Sequence, residues 1–153
     1  MSNQPEKILV TDFDCTMTQQ DFYELVLQHL LEDDVPDFWT QYRTGKITHF
    51  EALQGYFANI RVDEPTLLAL VARMELDPDL RTATSLLRAS HWKVIVASAG
   101  CRWYIDRLLA EAEVEIEVHA NPGEFRSGEG LQMTLPESSP FFSSTIGIDK
   151  AAR

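Results

Sequence analysis

Cysteine is nearly absent from this 153-residue chain: there are two, Cys15 and Cys101, with no metal-type spacing between them. Two such residues cannot frame a disulfide-stapled fold, and a reducing, cytoplasmic compartment is the expectation. Positive charge is scarce as well. Lys and Arg number 13 against 24 Asp and Glu, a formal net charge of −11. Nucleic acids and anionic membrane surfaces both reward basic patches, so neither is an expected partner. No apolar run approaches the ~20 residues that span a bilayer, and the polar opening Met1–Lys7 does not read as a signal peptide. Internal repeats and low-complexity tracts are missing too. What remains is an ordinary globular composition, 44% hydrophobic and 10% aromatic, enough for one core with a modest insertion.

The chain is organised around Ile8-Leu9-Val10-Thr11-Asp12-Phe13-Asp14-Cys15-Thr16. Strand-forming residues run into two carboxylates at i and i+2, followed by a hydroxyl. Acids at the end of a buried strand are costly unless they have a partner or a task. In open α/β sheets ligands bind just beyond the carboxyl ends of the strands, where Asp12 and Asp14 would lie if this strand is parallel and central.

Helical patterning follows. Phe22, Leu25, Val26, His29 and Leu30 share one helix face, and Pro36 starts a short helix through Phe38, Trp39 and Tyr42 that Gly45 stops. Thr48-His49-Phe50-Glu51 reads as a capping box ahead of a stripe of Phe50, Leu53, Tyr56, Phe57 and Ile60. Asp63-Glu64-Pro65 opens a helix with Leu67, Leu70, Val71 and Met74, and Asp77-Pro78 opens another toward His91. Trp92–Ser98 is a near-continuous apolar run of the kind parallel central strands show. Arg102–Ala112 reads as a helix, Val114–His119 as a third strand, and Glu124–Leu135 as a β-hairpin turning at Ser127–Gly130. Pro136–Ser144 is loop-like, and a helix is expected to begin within Ile146–Arg153. The predicted fold is α/β, a Rossmann-like parallel sheet with core residues 1–17 and 79–153 and a helical cap at 18–78.

The pair Asp12 and Asp14 suits phosphoryl chemistry. One carboxylate can attack phosphorus and form an aspartyl-phosphate, while the second, protonated, donates to the leaving oxygen and then activates water. Repulsion is the obstacle: each pair of like charges ~4 Å apart costs roughly 4 kcal/mol at an effective dielectric near 20. Mg²⁺, which prefers oxygen ligands, removes it. The competing reading of Asp-x-Asp is a structural strand end. A calcium loop is excluded, because Met17 and Tyr23 occupy positions where glycine and glutamate are needed. Ser98 with Ala99-Gly100 at a helix start could cradle an anion or merely cap the helix. Lys150 could neutralise phosphate or Asp12, or be simply solvated. Trp39, Tyr42, Arg43 and Lys46 could select a leaving group, with solvated surface as the alternative. The four histidines have no metal-ligand spacing, and Arg126 is a weak phosphate candidate.

Taken together, Asp12-Phe13-Asp14-Cys15-Thr16, Val94–Gly100 and Gly147-Ile148-Asp149-Lys150 resemble the signatures of the haloacid dehalogenase superfamily of phosphatases. The helical insertion directly behind the first motif resembles the small cap of the phosphoserine-phosphatase-like branch. Ser98-Ala99-Gly100, Tyr104-Ile105 and Ala120-Asn121 are loosely similar to the methionine-salvage phosphatases that act on a methylthio-ketopentenyl phosphate. The resemblance implies hydrolysis of a small phosphorylated metabolite, with Asp12 as the phosphorylated nucleophile and a Mg²⁺ ligand. Asp14 would be the acid/base and offer its backbone carbonyl to the metal. Thr16 would fix the loop, and Ser98, Ala99 and Lys150 would hold the phosphoryl oxygens. Cys15 stands where glycine is usual. The resemblance also implies a further strand after Lys150 bearing metal-ligating aspartates, so the chain ending at Arg153 is expected to be a truncated piece of a longer phosphatase, the favoured reading, or a naturally shortened relative. Its sheet would then keep an unpaired edge, a place for dimerisation. The alternatives are a catalytically incomplete phosphate-binding module of the same fold and a phosphotransferase.

Overall fold

The computed structural model describes residues 6–151. Three parallel strands, β1 (Lys7–Thr11), β2 (Trp92–Cys101) and β3 (Glu117–Asn121), form a sheet in the order β1-β2-β3. The apolar run at 92–98 makes the central strand: Ile95, Val96 and Ala97 are fully buried. β1 is in register with it from Lys7 opposite Trp92 to Thr11 opposite Val96. Asp12 therefore leaves the sheet beside the Ala97-Ser98 segment of β2, toward its carboxyl end.

β1 is parallel as expected but not central. Among the described residues it pairs only with β2, and Ile8, Leu9 and Val10 are 36–38% exposed along its outer side.

Five helices lie between β1 and β2, the first four being α1 (Phe22–His29), α2 (Phe38–Arg43), α3 (His49–Ala58) and α4 (Glu64–Ala72). Each of these four begins where a short polar side chain satisfies an orphan backbone N–H. Asp21 accepts from Glu24, Asp37 from Thr40, Thr48 from Glu51 and Asp63 from Thr66, each cap being worth about 0.5–2 kcal/mol. Phe22, Val26, Phe57, Ile60, Leu67 and Met74 are at most 1% exposed and form the interior of this layer. The segments entering and leaving it are tied together, with Thr18 bridged to Leu76 and the Gln19 N–H donating to Met74. α5 (Leu80–Ala89) then leads into β2, and α6 (Arg102–Glu111) connects β2 to β3.

Local sequence signals misplace three boundaries. Asp77 does not cap α5: its Oδ1 accepts from the Asp79 N–H in a turn, and the helix starts at Leu80. Val114 is not strand. Its N–H closes the end of α6 on Leu109, and β3 begins only at Glu117. β2 runs on to Cys101 through an irregularity after Ala97 instead of turning at Ala99-Gly100.

The hairpin expected at 124–135 is β4 (Gly123–Arg126) with β5 (Gly130–Met133). Beyond it a second hairpin forms, β6 (Phe142–Ser143) with β7 (Gly147–Ile148), followed by a turn in which Asp149 Oδ1 accepts from the Ala151 N–H. The segment 146–153, within which a helix is expected to begin, thus opens as strand. The chain turns tightly at Gly147, whose φ is +86° and where a Cβ would collide with Asn121 Oδ1. Residues 152–153 lie outside the described residues.

Candidate active site

The loop after β1 is built by main-chain bonds around Phe13, whose side chain is fully buried. The Phe13 carbonyl accepts from Thr16 and Met17, and Asp12 Oδ1 accepts from the Phe13 N–H at 2.8 Å. Cys15 sits at the crest with φ +60°, a left-handed conformation that favours glycine. The hydroxyl that fixes this loop is Thr18, which accepts from the Cys15 N–H and donates to the Gln20 carbonyl. Thr16 is exposed and stands outside the cavity wall described below.

Asp14 points inward. Its Oδ1 accepts from the Tyr104 hydroxyl at 2.8 Å and its Oδ2 from the Phe22 N–H at 3.0 Å. Burial pushes its pKa from 3.8 up to about 6; the Phe22 bond opposes the rise, and the Asp21 charge adds to it. Tyr104 is 1% exposed, and burial beside Asp14 holds its hydroxyl protonated far above pH 10. It is thus a fixed neutral donor. A Cβ on Gly100 would collide with that hydroxyl, so the glycine is what lets Tyr104 reach Asp14.

Ser98, 2% exposed, accepts from the Gly100 N–H at 3.0 Å and thereby shapes the irregularity within β2 after Ala97, the Ser98 turn. Asn121 Nδ2, at the end of β3, donates to the Ala99 carbonyl at 2.8 Å. The other atom of that amide, Oδ1, is buried without a partner and lies against Gly147. One side chain thus braces both the Ser98 turn and the hairpin leading to Lys150. Lys150 Nζ lies 3.0 Å from Asp12 Oδ1, each side chain nearly half exposed. Solvent screens such a pair, so its value is positional more than energetic.

These groups share one cavity of about 270 Å³. Asp12, Asp14, Ser98, Ala99, Gly100 and Lys150 line its floor; Asp21, Tyr23, Trp39, His49, Leu53 and Phe57 line the helical side. Of the residues that the sequence assigns to catalysis or phosphate binding, only Thr16 stands apart. Arg126 is engaged with Glu124 and Glu129 on its own hairpin. Local patterns give no sign of Tyr104 as a partner of Asp14, nor of Asp21 in the wall. The one available hint is Tyr104's place on the helix directly after the Ser98 turn.

For a divalent cation the floor offers oxygen of the right kind but little of it. Among the described residues no three His, Cys, Asp or Glu side chains gather into a metal cluster. Asp14 spends both carboxylate oxygens on protein donors, leaving the Asp12 carboxylate and the Asp14 main-chain carbonyl. That suits Mg²⁺, which is commonly held by one or two carboxylates with substrate phosphate and water completing its shell.

No protein-family model and no curated protein sequence matches this chain. Solved structures do. A HAD family hydrolase from Salmonella enterica serovar Typhi superposes with a TM-score of 0.66 at 22% identity, over 86% of this chain and 46% of that one. The fold is that of the HAD hydrolases. A phosphoserine phosphatase, solved as an analogue of its phospho-aspartyl intermediate, matches with a TM-score of 0.61 at 15% identity over 85% of this chain and 64% of its own. The phosphoserine phosphatase of T. onnurineus matches at 0.60 and 21% identity, over 89% and 70%. This chain thus spans less than two thirds of the Salmonella hydrolase and of the intermediate analogue. Among the described residues, no helix of this HAD-type fold is long and apolar enough to cross a membrane.

Proposed function

We propose that this chain is the phosphoryl-transfer core of a Mg²⁺-dependent phosphomonoester hydrolase acting on a small phosphorylated metabolite. The observation that carries the reading is Asp14: a carboxyl raised to about 6 beside a second, more exposed carboxylate in the same cavity. Two neighbouring acids in unlike environments are what divided acid/base and nucleophile roles require. The HAD-type fold and the phospho-aspartyl analogue of one structural neighbour support the same reading.

Asp12 Oδ1 is held by the Phe13 N–H and Lys150, which leaves Oδ2 free to attack. In the first step Oδ2 bonds to phosphorus, the P–O bond to the alcohol breaks, and the departing oxygen takes the Asp14 proton. In the second, Asp14 removes a proton from water, whose oxygen attacks phosphorus. The aspartyl O–P bond then breaks, releasing phosphate and restoring the Asp12 carboxylate. Lys150 and the N–H groups near Ser98 orient the phosphoryl oxygens. Magnesium held by the Asp12 carboxylate and the Asp14 carbonyl would supply neutralisation of the charge on phosphate and nucleophile. The free thiols of Cys15 and Cys101 fit a cytoplasmic setting.

Phosphate release from an aryl phosphate, with and without Mg²⁺, tests the proposal. Hydrolysis should need the metal and fall at least about a thousandfold in Asp12→Asn. Undiminished turnover in that variant overturns the assignment. The absence of a three-side-chain metal cluster among the described residues favours one second reading, a phosphate-binding module. Calorimetric binding of a phosphate mimic without turnover would identify it.

A further inference from the structure

The floor of the cavity accounts for a phosphate; its helical wall says what the phosphate is attached to. Tyr23, Trp39, His49, Leu53 and Phe57 supply rings and aliphatic surface. The indole N–H is spent, because Trp39 Nε1 donates to the Tyr23 hydroxyl while the rings pack edge to face. His49 packs against Trp39 and Tyr42, its Nδ1 is buried without a partner, and burial pulls its pKa below 6.5. Burial thus favours its neutral form.

Charge in the cavity is lopsided. The acids are Asp12, Asp14 and Asp21, and the single Lys or Arg in the wall is Lys150, already against Asp12. Asp21 is occupied only as the cap of α1, accepting from the Glu24 N–H. The helical layer's own cations lie elsewhere: Arg43 is bound to Thr40 and Arg61 to the Ala58 carbonyl, both exposed. A carboxylate on the alcohol would meet Asp21 and Asp14 with no described cation to pair with, and a buried unpaired charge is rejected strongly.

Building on the phosphatase reading, we infer that the site selects phosphate monoesters whose alcohol is compact, apolar and free of anionic groups, and discriminates against carboxylate-bearing phosphates. The size agrees, since 270 Å³ lies just below the roughly 300–1,000 Å³ of sites for drug-sized ligands. Trp39 and Tyr23 form the apolar seat, and Asp21 excludes the anion.

The test compares n-butyl phosphate with the phosphate ester of 3-hydroxypropionate, two primary alkyl esters that differ in the carboxylate, on the full chain with Mg²⁺. The expected kcat/KM ratio favours the butyl ester at least about tenfold, the discrimination available to an apolar pocket. Trp39→Ala should shrink that ratio at least threefold, mainly through KM for the butyl ester. Asp21→Asn should shrink it by improving the carboxylate ester. Calorimetry with n-butylphosphonate and 4-phosphonobutyrate reads the same preference without chemistry. Preference in binding with no hydrolysis would overturn the phosphatase reading and leave the selectivity standing. Equal or better use of the carboxylate ester, or binding of neither phosphonate, overturns the selectivity.

Discussion

Asp14→Asn isolates the cost of keeping a carboxylate inside this fold. The side chain's pKa rises from 3.8 to about 6, chiefly through burial. A raised acid favours the folded state while protonated. Its contribution is fully present below pH 3.8 and is lost as pH rises through about 6, because the native state holds a proton that the unfolded chain has released. The difference between 3.8 and about 6, at about 1.4 kcal/mol per pH unit, makes this loss about 3 kcal/mol. Asparagine is the right control. Its carbonyl can accept from the Phe22 N–H while its amide donates to the Tyr104 oxygen, the hydroxyl having turned, so the packing survives. Guanidinium unfolding of both proteins at several pH values, with chelator present, measures the difference directly. Asp14→Asn should gain about 3 kcal/mol on the parent between pH 4 and pH 7, with nearly all of the change between pH 4 and 6.5. Parallel stability curves across that range would refute the account of Asp14 as a buried, desolvated acid.

Three other substitutions probe neighbouring parts of the argument. Tyr104→Phe removes a donor from Asp14 without changing the ring that stacks on Phe22. It should slow an alkyl phosphate about tenfold but a nitrophenyl phosphate, which needs little proton donation, only about twofold; equal losses would reduce Tyr104 to a structural role. Cys15→Gly relieves a left-handed residue and should stabilise the protein by about 0.5–1 kcal/mol in denaturant melts, after glycine's greater unfolded-state entropy is set against the strain. Gly147→Ala would force a Cβ into Asn121 and strain φ at the same time. Besides a loss of about 1–3 kcal/mol in stability, it should raise KM for any phosphate ester by displacing Lys150.

The carboxylates are legible in the sequence because their chemistry is a matter of adjacency: a strand delivers Asp12 and Asp14 to one loop whatever surrounds them. The helix caps at Thr48 and Asp63 are legible for the same reason, each being closed within three residues. Contacts between distant segments are not. Tyr104 meets Asp14 across 90 positions, and no periodicity encodes that. Asn121 reads as a turn residue before proline, whereas its amide bridges the Ser98 turn and the last hairpin. Val114 shows how local alternation misleads, since Val-Glu-Ile-Glu-Val fits a strand while the first of these residues is claimed by the end of the preceding helix. Thr16 fails as a loop-fixing hydroxyl by two positions: the turn on the Phe13 carbonyl puts Thr18 where the Cys15 N–H can use it.

A rapid-quench reaction with a radiolabelled phosphate ester, followed by peptide mapping, reaches the core of this account. Label should appear transiently on the peptide that contains Asp12 and be released by hydroxylamine, as an acyl phosphate requires. It should be absent in Asp12→Asn and, with a nitrophenyl ester whose departure needs little proton donation, accumulate in Asp14→Asn, which lacks the base for the second step. Phosphate release at full rate with no protein-bound label at any time would contradict it.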